Sequence, residues 1–303
     1  MAIRPIAAEM FDITDCIAVI TGGGSGIGSM IAKSLAANGA KVYILGRRLE
    51  VLEKAAKEMV HILFFVNCSV NSTEDLQRAV DFIDQTDGRI NLLINNAGIA
   101  TPNLEPHQAR PQPKWDIKKV RDFWFSKKFS DYAAVFETNT TAALQVTFAF
   151  LELLDKGNKF RERQEAAAKS NGKVFRGPYT YTRSQVLSLS SVGGFGRDNS
   201  AFIYGASKAG TTHMMKNLAT YLIPWHIRVN VLAPGYFNTD MMGDWYKATG
   251  GRLPPTLVPE ERFGELHEMG GTVVWLASKA GAYCNGQVVL IDGGYIATHP
   301  ATY

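Results

Sequence analysis

Cys16-Ile17-Ala18-Val19-Ile20-Thr21 carries no charge and runs directly into Gly22-Gly23-Gly24-Ser25-Gly26-Ile27-Gly28. A short apolar run that ends in glycines reads as a buried parallel strand. Beyond Gly28, Met30, Ile31 and Leu35 recur at helical spacing, with Ala32, Ala36 and Ala37 between them, until Asn38-Gly39 stops the pattern. Strand, glycine turn and helix in this order leave few folds open. The glycines allow a tight turn and let the backbone approach a pyrophosphate. The helix N-terminus adds free N–H groups and partial positive charge. Gly22, Gly24, Ser25, Gly26, Ile27 and Gly28 are the residues such a loop would turn toward a dinucleotide. Their spacing is Gly-x3-Gly-x-Gly, and the competing reading is a glycine-rich turn with no ligand.

The alternation continues to the end of the chain. Lys41–Gly46, Ile62–Val66, Asn91–Asn95, Val186–Ser190, Arg228–Ala233 and Val288–Ile291 read as further strands. Leu49–Met59, Ser72–Asp87, Phe129 to Leu154, Tyr204 through Leu222 and Glu265–Ala277 read as helices, with Ser72 as an N-cap and Glu74 and Asp75 in the first turn after it. The pattern predicts an α/β fold: a Rossmann-type doubly wound parallel sheet of about seven strands with helices on both faces. A chain of 303 residues can bury one large core or two small ones. The motifs span a single fold, so one domain over 1–303 is expected, with its core over 12–295.

After the second strand, the place where an acidic residue would bond a ribose 2′-hydroxyl holds Gly46-Arg47-Arg48. Guanidinium groups match phosphate geometry and keep their charge. Arg47 and Arg48 therefore point to a 2′-phosphate, hence NADP(H) over NAD(H). A solvated arginine pair on a loop is the plainer alternative.

Ser191 stands at the carboxyl end of the Val186–Ser190 strand, where open α/β sheets bind ligands. Thirteen residues on, Tyr204 opens a helix, and Lys208 lies four further along the same face. A free tyrosine titrates near pH 10, too high to exchange protons well at neutral pH. A neighbouring ammonium is expected to lower that value. Ser191 would hold a substrate oxygen while Tyr204 moves the proton.

These residues carry a resemblance. Thr21–Gly28, Asn95-Asn96-Ala97-Gly98, Asn139, Ser190-Ser191, Tyr204–Lys208, Arg228-Val229-Asn230, Pro234–Thr239 and Gly286-Gln287 with Asp292-Gly293-Gly294 run in the order of the short-chain dehydrogenase/reductase family. The resemblance covers about Asp12 to Tyr295 and implies a catalytic group of Asn139, Ser191, Tyr204 and Lys208. Asn139 would hold a water in a proton relay through Lys208 and the ribose, and Lys208 would also grip the ribose hydroxyls. Asn96, Ala97 and Gly98 would line the adenosine side. Pro234, Gly235, Phe237 and Thr239 would position the nicotinamide. Ser69, followed by Val70, stands where the family often carries an aspartate beside the adenine. The implied activity is NADPH-dependent reduction of a ketone or aldehyde on a small organic substrate, in a dimer or tetramer. A non-redox or epimerising relative, or a cofactor-binding scaffold without turnover, are the rivals.

Two segments exceed the compact family pattern and resemble those of biosynthetic reductases of secondary metabolism: Thr101 to Asp131, and Asp155 to Ser184. The first begins with a proline-rich loop and continues through Trp115–Phe125, which mixes aromatics with cations. It reads either as a pocket wall or oligomer contact, or as a surface excursion. The second reads as a solvated extension of a helix. Residues 240–262 resemble a substrate lid, and its Met, Trp and Tyr side chains suggest an apolar, aromatic substrate. A net charge of +4 does not imply nucleic acid. No run of eighteen apolar residues suggests a membrane span. Three scattered cysteines suit a reducing compartment, so the cytoplasm is expected. No histidine shows metal-ligand spacing, and no metal is expected.

Overall fold

The fold is taken from a computed structural model that describes residues 6–58, 63–100, 114–172, 182–198, 201–239 and 242–302. Its strands are β1 Ile17–Thr21, β2 Lys41–Gly46, β3 Leu63–Asn67, β4 Leu92–Asn95, β5 Gln185–Leu189, β6 Arg228–Pro234 and β7 Val288–Ile291. All pair in parallel, in the order β3-β2-β1-β4-β5-β6-β7. The chain steps outward from β1 to β3, then returns to place β4 on the other side of β1. That reversal creates a topological switch point at the carboxyl ends of β1 and β4, where sheets of this kind bind ligands.

β1 is apolar up to its last residue, Thr21, because both its faces are covered. Ala18 and Ile20 pack in one layer with Ile31 and Leu35 of the helix Gly26–Ala37 and Met269 and Val273 of the helix Leu266–Ala277. Ile17 and Val19 pack in the opposite layer with Ile83, Val146, Phe150, Met215 and Leu218. Alternate side chains of a strand point to opposite faces, so a strand covered on both sides cannot alternate polar and apolar. The sheet, the helices on both faces and the strand positions agree with the sequence expectation to within a residue at most ends. The Ser72 cap is present, with its hydroxyl accepting from Asp75 N at 3.1 Å.

The helix expected from Phe129 to Leu154 is divided. It runs Phe129–Phe136, loosens into a π-turn over Glu137–Thr141, resumes over Ala142–Ala149, and a further helix covers Leu151–Ser170. The last of these makes the start of the second long segment a helix, as expected. Of the first long segment, the proline-rich part over 101–113 lies outside the described residues. Its second half forms the helix Ile117–Phe125, capped by Asp116, whose carboxylate accepts from Lys119 N at 3.0 Å. Residues 240 and 241 of the expected lid also lie outside the described residues, and the rest contains the helix Gly243–Thr249. No described helix is long and apolar enough to cross a membrane.

Candidate active site

The carboxyl ends of β1, β4, β5 and β6 open into one cleft of about 1300 Å³. Every residue assigned to a dinucleotide from the sequence lines this cleft except Gly28. Gly28 lies behind the turn and permits close packing there: a Cβ on it would stand 2.3 Å from the Gly22 carbonyl oxygen and 2.4 Å from Asn96 Nδ2. Gly26 has φ +53°, a left-handed conformation that favours glycine, and it opens the helix Gly26–Ala37. The N-cap Ser25 makes no side-chain cap bond. The first N–H groups of that helix, which have no intrahelical acceptor, face the cleft end. Asn96 ties β4 to the turn, its Nδ2 donating to Thr21 O at 2.9 Å and Gly22 O at 3.1 Å.

Arg47 and Arg48 are exposed at the cleft edge, and Arg48 donates to Ser25 Oγ at 3.3 Å. Ser69 donates its backbone N–H to Asp75 Oδ2 at 2.8 Å, a bond that, ahead of Arg78, holds the Asp75 carboxyl below its usual range. Beside it, burial pushes the Cys68 thiol up to about 11. This part of the cleft wall therefore carries Ser69, with the nearby carboxylate turned to the backbone.

At the other end, Ser191, Tyr204 and Lys208 converge. The turn Val192–Gly194 after β5 packs on the helix Phe202–Tyr221. Glycines on both sides allow the approach, since a Cβ on Gly205 would stand 2.6 Å from the Gly193 carbonyl oxygen. Ser191 Oγ accepts from Gly193 N at 3.0 Å, which fixes the hydroxyl beside the Tyr204 ring. Lys208 is 5 % exposed; its Nζ donates to Leu189 O at 2.8 Å and lies 5.8 Å from the Tyr204 ring centroid.

Asn139 sits in the π-turn and is buried. Its Oδ1 accepts from Ile99 N at 2.8 Å, and its Nδ2 donates to Ile99 O at 2.9 Å and Ser207 Oγ at 3.0 Å. The side chain thus braces the loop after β4 against the Tyr204 helix and does not reach the cleft lining. Its carbonyl accepts from Thr211 Oγ1 at 2.8 Å. A single π-turn of this kind re-aims a residue within a helix, and such turns gather at functional sites.

The electrostatics at Tyr204 differ from the sequence expectation. Burial raises the phenol above its usual range, and the force acting against it is a hydrogen bond with Ser191. Burial also pushes Lys208 down to about 8. Burial disfavours the phenolate and the cation alike.

The middle and outer parts of this cleft are aromatic. Phe123, Trp124, Phe202, Tyr236, Trp245 and Tyr295 all line it. Trp124 meets Phe202 at 5.0 Å between ring centroids, and Trp245 meets Tyr236 edge-on at 5.3 Å. The helix Ile117–Phe125 is therefore a wall of the cleft.

Comparison with known proteins bears on the family and the fold. A model of the family described as short chain dehydrogenase matches residues 16–161, and one described as Enoyl-(Acyl carrier protein) reductase matches 173–296. The short-chain dehydrogenase/reductase VdtF of Byssochlamys spectabilis is 68% identical over 298 residues, covering 98% of each chain. The chain belongs to the short-chain dehydrogenase/reductase family. As a member it is an oxidoreductase of a family that works with a nicotinamide cofactor. The short-chain dehydrogenase/reductase PhomF of Diaporthe leptostromiformis is 40% identical, covering 98% of this chain and 97% of the relative. Among solved structures, the RhlG/NADP active-site complex of Pseudomonas aeruginosa superposes with a TM-score of 0.75 at 27% identity, over 95% of this chain and 98% of that one.

Sequence reasoning missed Tyr236, Tyr295 and Phe202 as residues that line the cleft. Tyr236 stands inside the Pro234–Thr239 motif and Tyr295 directly after Gly293-Gly294, so proximity to motif glycines was an available signal for both.

Proposed function

We propose that this protein is an NADPH-dependent reductase that converts a ketone or aldehyde of a small organic molecule to an alcohol, reversibly. The observation that carries this is the single cleft that joins a glycine turn, a carboxylate-free Arg47-Arg48 edge and the Ser191–Tyr204–Lys208 group. A dinucleotide fits the cleft: backbone lines the place of its phosphates, and the uncapped helix N-terminus suits their charge. Gly22, Gly24, Ser25, Gly26 and Ile27 would hold the pyrophosphate, with Gly28 packed behind them. Arg47 and Arg48 would hold the 2′-phosphate, Ser69, Val70, Asn96, Ala97 and Gly98 the adenosine side, and Pro234, Gly235, Phe237 and Thr239 the nicotinamide side. That a solved relative is an NADP complex supports the choice of phosphate.

Bound there, the cofactor supplies the hydride. The proton belongs to this chain. Tyr204, whose burial keeps it protonated through neutral pH, is stocked as an acid and gives its proton to the carbonyl oxygen. Ser191 donates to the same oxygen and holds it. Lys208 is cationic below pH 8 and stands close enough to steady the charge left on the phenol. Asn139 keeps the Ile99 loop and the Tyr204 helix in register and, through the relay that the family resemblance implies, returns a proton from solvent.

The working form is a dimer or tetramer in the cytoplasm. The helices around Asn139 and Tyr204 leave Phe129, Phe136, Phe148 and Tyr221 exposed, which favours self-association along them.

The test is a fluorescence titration of NADPH, with NADH beside it, against the wild type and Arg47→Ala. Tighter NADPH binding that Arg47→Ala reduces is expected. Equal or tighter NADH binding overturns the 2′-phosphate assignment, and binding of neither overturns the enzyme.

A further inference from the structure

The two aromatic walls of the cleft differ in how their rings are used. On the lid side the rings cover one another. Trp245 and Tyr246 meet the buried Phe263 at 5.8 and 5.2 Å between ring centroids. Tyr236 lies edge-on to Trp245 at 5.3 Å and to Tyr295 at 5.6 Å. This wall is an edge of the core.

The opposite wall is a row. Trp115 meets Phe123 edge-on at 5.9 Å, Phe123 meets Trp124 edge-on at 5.0 Å, and Trp124 meets Phe202 at 5.0 Å. The row runs from just before the helix Ile117–Phe125 to the first residue of the helix that carries Tyr204. Cations hold its outer members: Lys119 Nζ stands 4.1 Å from the Trp115 centroid, and Lys127 Nζ 4.4 Å from that of Phe123. Among the described residues no cation stands over Trp124 or Phe202.

Trp124 and Phe202 both line the cleft, and Phe202 is 60 % exposed. A large apolar ring left open inside a cleft is surface for a ligand to cover. Phe202 stands two positions before Tyr204, which lines the same cleft. The rings of the row are spaced as aromatic pairs prefer, with centroids about 4.5–7 Å apart, and one more ring at its open end would extend the same arrangement.

We propose that Trp124 and Phe202 form an aryl subsite, and that the substrate is an aryl ketone whose aromatic ring lies on this pair while Ser191 and Tyr204 hold its carbonyl. This rests on the cleft being the site of a carbonyl reductase. An alicyclic ketone of the same carbon skeleton has at least as much apolar surface to bury, but no ring quadrupole. Apolar burial alone does not favour the aryl ketone, and ring pairing does.

The experiment compares 1-tetralone with trans-1-decalone, which share a skeleton and differ in the aromatic ring. Each is titrated calorimetrically into the NADP⁺ complex. 1-Tetralone should bind roughly 3- to 10-fold tighter. Trp124→Leu and Phe202→Leu, which keep apolar side chains, should each reduce that ratio. Phe202 is exposed, so its exchange spares the core and decides the matter even where Trp124→Leu does not fold. Equal or tighter binding of trans-1-decalone by the wild type overturns the proposal, as does binding of neither ketone. A ratio that survives in Phe202→Leu also overturns it, because the selection is then steric or made elsewhere. NADPH oxidation by 1-tetralone is read in parallel. If it is absent while the binding preference and its loss in Phe202→Leu stand, the reductase reading falls and the aryl subsite does not.

Discussion

The two ends of the cleft are built by opposite means. At the glycine turn the backbone gives the shape: a Cβ on Gly28 would meet the Gly22 carbonyl at 2.3 Å, and one on Gly23 would meet Ile44 Cγ2 at 2.5 Å. At the other end side chains give it, with Trp124 on Phe202, Trp245 on Tyr236, and Tyr236 edge-on to Tyr295 at 5.6 Å. A surface made of backbone cannot be changed without moving the chain. A surface made of rings changes at the cost of one contact. The first suits a ligand common to a whole family, and the second suits one that differs from member to member.

The sharpest attack on this division is Tyr204→Phe, at the seam between the ends. Turnover should fall by about 10²- to 10⁴-fold with NADPH affinity retained. Steady-state rates and a cofactor titration decide it. Unchanged turnover would mean a scaffold or a different chemistry, and a matching loss of cofactor binding would place Tyr204 with the backbone-built end.

Next in size is Gly28→Ala. One methyl group in a space this tight should cost about 1–3 kcal/mol of stability and weaken NADPH binding with it. Thermal unfolding with and without NADPH measures both. A variant with wild-type stability and affinity would show that the turn can give way, and the contrast with the aromatic end would fail.

Lys208 gives an effect of about 2 kcal/mol whose size depends on pH. Burial lowers it from 10.5 to about 8, so between those values the unfolded chain binds more protons than the folded one. Stability therefore rises with pH across that window, and below pH 8 the full cost of the buried cation is present. Lys208→Met should lose turnover yet unfold a few degrees higher at pH 7, even after losing the bond to Leu189 O. The gain should vanish toward pH 10.5. A gain that does not change with pH would mean that packing, and not charge, is responsible.

The smallest effect is expected at the aromatic end. Trp245→Ala removes ring contacts with Tyr236 and Phe263, worth about 1 kcal/mol apiece. The KM for a reduced ketone should rise several-fold with the NADPH affinity unchanged. A loss of NADPH affinity of the same size would join the two ends into one unit.

Legibility from the sequence divides along the same line. The glycine turn, the strands and the Ser191, Tyr204 and Lys208 spacing could be read directly, because each is a local pattern: an apolar run, a turn, four residues along a helix. Asn139 was placed by resemblance, but its work of bracing Ile99 and Ser207 depends on a π-turn that interrupts an otherwise regular helical pattern. Trp115–Phe125 could be read either as a pocket wall or as a surface excursion, because its periodicity shows a helix face but not what that face meets.

By itself, then, the sequence determined the doubly wound sheet and the position of its cleft, since strand and helix periodicities and glycine turns are set by residues adjacent in the chain. The tertiary structure alone decided the direction of the Tyr204 shift, which burial sets against the hydrogen bond with Ser191. It alone brought Asp198 within hydrogen-bond reach of Tyr295, which lies 97 positions away along the chain. Desolvation and hydrogen-bond direction depend on everything that surrounds a group in space, and no local stretch of sequence contains that.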